Sequence, residues 1–486
     1  MSRRLAPFGP MLLLAGAACV GTPSVAGVAG VPPSPGASWT PPAEEPGPPA
    51  PTRPSIPADL AQRMRRLTLA EVVDLGLRNN SETRISWANA RAAAAAYGSE
   101  RGAYFPTIDG DVTATRLKTV ASQGRSAVTQ SVFSPSLNLT YLLFDFGGRS
   151  GNVGSAREAL IAANYTHNAT LQGVVLQIQT AYFEYVANRA LLEAQRTTVK
   201  EAQANLAAAE ERNRVGLATI ADVLQARTAA SQADLAAQTT EGDVQTSRGA
   251  LALSLGVPAN LPYDVDSAAG QVSVAQLTDS VETLIAGAMK NRPDLAASRA
   301  EFEASRAQIS VARASRLPSL VLNGSGGRTY TSTLPNGGNN YTVSLGLRVP
   351  IFAGFSRLYD QRQAVAEADA AAARTDLLGQ QVTYQVFSSY YALQTAARRV
   401  RTSRDLIASA EQSNEVALGR YKAGVGSVLD LLSAQTALAD ARAQQVLAQL
   451  QWNTSLAQLA HDAGVLDPKG GNSLRLTSDS SWNKSP

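Results

Sequence analysis

Two stretches of the chain alternate between apolar and polar positions. Val343, Leu345, Leu347, Val349 and Ile351 are interleaved with Ser344, Gly346, Arg348 and Pro350. Leu137, Leu139 and Tyr141 are interleaved with Ser136, Asn138 and Thr140. A period of two predicts strands with one apolar and one polar face. Each pairs with a preceding strand, so four are expected, around Thr107–Arg116, Val132–Phe144, Ser319–Arg328 and Tyr341–Phe352. A half-buried sheet of a soluble protein would show the same alternation, so the pattern alone does not place these strands in lipid.

A different pattern fills the rest. No proline occurs from Ser136 to Val257 or from Ile351 to Asp467, and both regions are rich in Ala, Gln, Leu and Arg. These residues favour helix. Each region is interrupted near its middle, by "VGLAT" from Val215 and by "AGVGS" from Ala423. Two antiparallel helices joined at each interruption are expected, with Gly216 and Gly424 as left-handed C-caps. The first helix, about Val153 to Arg214, would be on the order of 90 Å long. That is too long for one globular core and suits a coiled coil or a wall of helices.

The two regions are copies of each other. Gly216 and Gly424, Asp222 and Asp430, and Leu137 and Leu345 all stand 208 positions apart. "LAEVVDLGLRNNSE" from Leu69 lines up with "VETLIAGAMKNRPD" from Val281, and Pro106 with Pro318, at an offset of 212. Each copy therefore reads helix, strand pair, long helical hairpin, with single opening helices over about Leu69–Gly102 and Val281–Arg316. The expected organisation is an export signal over 1–19, a proline-rich tether over 20–66 and a first repeat over 67–261. An equatorial linker over 262–280, a second repeat over 281–465 and a disordered tail over 466–486 complete it.

Composition narrows the function. Among 486 residues 17% are charged, and the formal net charge is +4. That is far from the concentrated basic stripe of a nucleic-acid binder. Arg3 and Arg4 followed by "MLLLAGAAC" form an export signal. Cys19 is the only cysteine, so no disulfide can form within one chain. "AGAAC" resembles a lipobox with Gly16 where leucine is usual; ordinary signal-peptidase cleavage is the alternative. Neither His167 nor His461 has a partner motif, and no metal-ligand cluster, phosphate loop or catalytic constellation is legible. No enzyme, cofactor or metal is expected.

Four strands are too few to close a membrane barrel, so a membrane reading requires several chains to pool their strands. Tyr104, Phe105, Phe133, Phe144, Phe146, Tyr330, Tyr341, Phe352 and Phe355 cluster near the strand ends, as girdles would; core packing gives the same clustering. The export signal, the duplicated unit and the tips "RVGLATIADVLQAR" and "RYKAGVGSVLDLLSAQ" together resemble the TolC-like outer membrane factor family. "NRPDL" from Asn291 and "VPIFAGFSR" from Val349 are similar to it too, and Cys19 resembles its lipoprotein branch.

The resemblance implies a mainly α fold with a β-barrel part. Three chains would form a 12-stranded outer-membrane β-barrel continued by a long periplasmic α-helical tunnel. It implies an exit duct of an efflux or secretion system in a Gram-negative outer membrane. The duct would work with a periplasmic adaptor and an inner-membrane transporter of RND or ABC type. Drug-like small molecules are the expected cargo. A type I protein secretion channel is the alternative, and an exported coiled-coil protein without a pore lies further off. Adaptor hairpins would dock on Val215, Gly216, Leu217 and Thr219 and on Ala423, Gly424 and Ser427. Asp430, Asp222 and Tyr421 would form an entrance gate. Gly426 and Ser433 stand where some relatives carry a gate arginine and a second ring carboxylate, so a one-carboxylate ring is expected. Leu345, Leu347 and Val349 would face outer-membrane lipid.

Overall fold

The structure is a computed structural model and describes residues 67–118, 129–261, 263–266, 276–277, 279–332, 334–466 and 476–477. All of them belong to one compact unit, Arg63–Pro486. Cys19 with its leader, the tether over 20–66, and most of the linker and tail lie outside the described residues.

The element order repeats. The first half runs α1 (Leu69–Asn79), α2 (Ser81–Gly102), β1 (Thr107–Lys118), β2 (Thr129–Phe144), α3 (Gly148–Arg214) and α4 (Ile220–Ser254). A short strand, β3 (Gln276–Leu277), follows. The second half runs α5 (Val281–Asn291), α6 (Pro293–Ala314), β4 (Ser319–Thr331), β5 (Leu334–Arg348), α7 (Ser356–Lys422) and α8 (Val428–Asp462). β6 (Leu476–Thr477) then pairs with β3. Both long helices have 67 residues and both return helices 35. At 1.5 Å per residue α3 and α7 each run roughly 100 Å.

Because the return helices are half as long, α4 and α8 cover only the half of each long helix beyond the sheet. Over the other half α3 packs against α2 and α6. Alanine lines much of the hairpin interior, as in the clusters of Ala202 with Ala230 and Ala233, and of Ala410 with Leu438 and Ala441. A methyl side chain lets the axes approach closely, and its burial loses no rotamer entropy.

The single opening helix expected in each copy is in fact two. Asn80 and Arg292 sit in extended conformation and separate α1 from α2 and α5 from α6. Arg292 precedes Pro293, and a residue before proline is disfavoured in the α region. Asn80 accepts from the Glu82 N–H at 2.7 Å and donates through Nδ2 to the Ser254 carbonyl at 3.0 Å. In the second copy Arg292 donates to the Asp462 carbonyl at 3.3 Å and to Gln385 at 2.7 Å. Ser254 and Asp462 end the two return helices, so each break clamps a helix end.

The chain turns away at Gly256 and Gly464, with φ of +68° and +70°. A Cβ at Gly256 would stand 2.6 Å from the Asn79 carbonyl oxygen, so only glycine fits. Buried Arg292 also pairs with Asp294. Burial pushes the Asp294 carboxyl up, but Arg292 and the Leu295 N–H together hold it below the usual range. That pair contributes stability above the ordinary carboxylate pKa and loses it as pH falls through the depressed one.

The four long strands form one antiparallel sheet in the order β1-β2-β4-β5. β1 and β5 are its two edges. One expectation fails at the end of β5: Val349, read as part of the strand, lies beyond it. β4 begins at Ser319, which pairs with Arg348, so no β4 backbone remains opposite Val349. Pro350, which follows, has no N–H to donate to a ladder.

Candidate membrane face and tunnel tips

Strand register decides which side chains share a face. Tyr141 pairs with Leu322 and Leu322 with Leu345. Ile108 pairs with Leu139, and Leu320 with Leu347. All of these lie on one side of the sheet. Ser136, Asn138, Thr140, Asn323, Ser325, Thr342 and Ser344 share the other side with Asp109 and Asp111. Asn138 donates to the Asp111 carboxylate at 2.5 Å on that polar side. The sheet is thus segregated into an apolar and a polar face, with strands of 12 to 16 residues. A tilted strand needs only about 9–11 residues to cross a bilayer core.

The apolar face has no covering layer. Leu345 is 62% and Leu347 66% exposed in the single chain, and Tyr341, Val343, Leu137 and Val112 are exposed as well. Val349 is also exposed, but past the strand end. Aromatic side chains cluster at the helical end of the sheet, where Phe144 packs on Phe146 at 4.6 Å and Phe352 on Phe355 at 5.5 Å. Among the described residues no helix is long and apolar enough to cross a membrane.

The far ends of the hairpins are built alike. Gly216 and Gly424 adopt φ of +78° and +75° and turn the chain. Thr219 caps α4: its hydroxyl accepts from the Asp222 N–H, and the Asp222 carboxylate accepts from the Thr219 N–H and hydroxyl. Ser427 caps α8 by accepting from the Asp430 N–H at 3.1 Å. The Asp222 carboxylate is therefore occupied in its own helix cap, while Asp430 stands exposed on the first turn of α8. Val215 and Leu217 are exposed, with Ala423 and Gly424 at the second tip. The structure adds Ile220, Leu224, Val425 and Leu429, large apolar side chains exposed beside them. They read as ordinary amphipathic helix positions in the sequence, and only the geometry leaves them uncovered.

Tyr421 is placed differently from the gate reading. It is 7% exposed, packed with Val428 and Leu431, and its hydroxyl is buried without a hydrogen-bond partner. Arg212 reaches across from the first tip instead. It donates to the Tyr421 carbonyl at 2.7 Å, and its guanidinium lies 4.6 Å from the Tyr421 ring centroid. Further up, Arg442 of α8 forms a bidentate pair with Glu201 of α3 at 3.1 and 3.2 Å. These two contacts tie the hairpins of the two copies together. Both join residues more than two hundred positions apart, which no local pattern reveals.

The family model for outer membrane efflux proteins matches the chain twice, over residues 72–257 and 284–465. The chain belongs to the outer membrane efflux protein family. Protein CyaE of Bordetella pertussis is 30% identical over 410 residues, covering 84% of this chain and 86% of that protein. The probable efflux pump outer membrane protein TtgC of Pseudomonas putida is 25% identical over 432 residues, covering 83% and 87%. The crystal structure of the Campylobacter jejuni CmeC outer membrane channel matches the fold with a TM-score of 0.75 at 20% identity, covering 88% of this chain and 91% of that one.

This efflux-family chain is thus an outer-membrane channel component and not an enzyme, with its strands as the membrane part and its helices as the tunnel part. His167 and His461 have local partners only, Ser86 at 2.8 Å and Asp462 at 3.1 Å. Tyr182, near the start of the hairpin, donates to the Asp266 carbonyl, and burial pushes its pKa up to about 12. These groups stay uncharged and structural.

Proposed function

We propose that three copies of this chain close a 12-stranded barrel in the outer membrane above a periplasmic helical tunnel. Small drug-like molecules leave the cell through it, handed over by a periplasmic adaptor and an inner-membrane pump. The observation that carries this reading is the sheet: one uncovered apolar face, one polar face and two open edges. In lipid a free edge leaves backbone groups unsatisfied, so β1 of one copy pairs with β5 of the next. The name of the relative TtgC supports small-molecule cargo.

Packing between the helices supports the same assembly. In one chain α3 lies between α2 and α6, whereas α7 packs against α6 and has no equivalent second neighbour. Gly148 meets Ala314, and Gly151 meets Val311 and Ala307 so closely that a Cβ would stand 2.8 Å from Val311. The equivalent positions in α7 and α2 are Ser356 and Tyr359, facing Gly102, Ser99 and Ala95. Where α3 is small and α6 larger, α7 is large and α2 small. Side-chain volume is exchanged across the pair, so α7 of one copy fits α2 of the next.

Cysteines at Ser99 and Tyr359 should then give a disulfide-linked ladder up to trimer on non-reducing gels, and cysteines at Ser99 and Tyr384 should not. A well-folded monomer in detergent micelles, seen by light scattering, would overturn the assembly.

At the tunnel end the tips carrying Val215, Gly216, Leu217, Thr219, Ala423, Gly424 and Ser427 receive the adaptor. Three copies of Asp430 form the entrance ring; Asp222 supports its helix cap, and Tyr421 seats Arg212. A ring of carboxylates concentrates cations. Asp430→Ala should weaken block by divalent and trivalent cations in planar-bilayer recordings by about tenfold, the scale of losing one favourable charge contact. Unchanged block would leave Asp430 as a helix-end carboxylate favoured by the macrodipole alone.

A further inference from the structure

We propose that Arg348 and Arg357 form an anion-binding site facing the channel interior where the barrel meets the tunnel, taking the phosphate or carboxylate group of passing cargo. The proposal rests on the polar face of the sheet lining that interior. A cavity of about 450 Å³ lies between the helical end of the sheet and the first turns of α3 and α7. Arg149, Arg348, Arg357, Glu100 and Asp145 are its charged lining. Arg348 pairs with Ser319, and its register puts it on the polar face with Ser344 and Asn323.

The duplication supplies an internal comparison. Arg149 and Arg357 are equivalent, 208 positions apart. In the first copy Arg149 is fully engaged at the surface of the cavity. It donates to the Leu142 carbonyl at 2.8 Å and the Ala103 carbonyl at 3.2 Å, and lies 4.7 Å from the Tyr104 ring centroid. In the second copy the ring position is held by Arg316, which turns to Gln361 at 2.8 Å. Arg357 has lost its platform, and its Nη1 is buried with no hydrogen-bond partner. Arg348 stands where the first copy has Thr140. The second copy has therefore given up a clamp and gained a second guanidinium beside it.

The acids in the lining do not neutralise this pair. Asp145 accepts from the Gly147 and Arg149 N–H groups, at 3.4 and 2.5 Å. Glu100 forms no ion pair with either arginine among the described residues, so two guanidinium groups face one carboxylate. Buried polar atoms in native proteins are nearly always partnered. An unpartnered guanidinium nitrogen in an open cavity is a vacant donor, and the planar fork of arginine matches carboxylate and phosphate oxygens. The unpaired N–H groups at the start of α7 add potential of the same sign. Three copies would surround the passage with a positive collar.

The test is a titration of inorganic phosphate against the full-length protein in detergent micelles free of phospholipid, read by ³¹P NMR line broadening. Wild-type protein should bind. The double variant R348Q/R357Q should raise the apparent Kd at least about tenfold, the scale of a lost charge-assisted contact. R348Q alone, at an exposed position that the fold does not need, should raise it severalfold. In bilayer recordings the double variant should become about twofold more cation-selective. Titrations identical to wild type in both variants would overturn the site. So would an effect confined to vesicles containing phosphatidylglycerol, which would transfer the arginines to a lipid headgroup outside the passage. A protein that stays monomeric overturns the duct reading itself, whereas a trimer with unaltered phosphate binding in the variants overturns only the collar.

Discussion

Leu347→Arg should block assembly of the barrel in the outer membrane, with little effect on the helical hairpins. Leu347 is 66% exposed in the single chain, on the face it shares with Leu320. Arginine at the midplane of a membrane strand costs about 2–4 kcal/mol, falling towards zero near the interfaces. In a trimer the cost falls three times on one cooperative structure. The expected result is loss of the heat-resistant trimer on mild gels and of protein from the outer-membrane fraction. Ser344→Arg reverses the geometry. Ser344 lies on the polar face with Asn323, so the same charge should leave the trimer in place. If both variants assemble, or both fail, the facial assignment is wrong. Leu345→Arg should behave like Leu347→Arg, and Val349→Arg should be milder because Val349 lies past the end of β5.

That contrast shows how far the sequence could be read. The alternation from Val343 to Leu347 reported a true face, because the period of a strand is a local property. It carried on falsely into Val349 because apolar spacing does not reveal where the neighbouring backbone runs out. The tips were legible for the same local reason: Gly216 and Gly424 interrupt long helix-favouring stretches, and both adopt the left-handed conformation. The breaks at Asn80 and Arg292 were not legible as breaks. Their helix-ending geometry is completed by the carbonyls of Ser254 and Asp462, about 170 positions away. Arg212 and Tyr421 are further still from any local signal. Arg212 looks like a helix-end cation until the second tip is seen beside it. Asp222 and Asp430, alike in sequence, differ in structure: one closes a capping box and the other leaves its carboxylate in solvent.

Leu217→Arg should abolish export while trimer yield and surface level stay normal. Leu217 is 70% exposed at the turn after α3, with Val215, Ile220 and Leu224 exposed around it; Val425 and Leu429 repeat the patch on the second tip. Clustered large apolar side chains at the end of a long hairpin have no core of their own, and such patches mark contact surfaces. Nothing in the fold depends on the Leu217 side chain, because Gly216 makes the turn and Thr219 with Asp222 caps the following helix. A charge placed at the centre of a docking contact costs about 2 kcal/mol or more, roughly thirtyfold in affinity. Arg214, paired with Glu211 at the edge of the same tip, supplies a control. An exposed pair of that kind contributes little, so Arg214→Ala should export almost normally. The decisive readout is site-directed crosslinking from each tip to the adaptor. Loss of crosslinks from both tips in Leu217→Arg, with the trimer intact, is the expected pattern. Undiminished crosslinks and normal export would show that the apolar tips are not the docking surface.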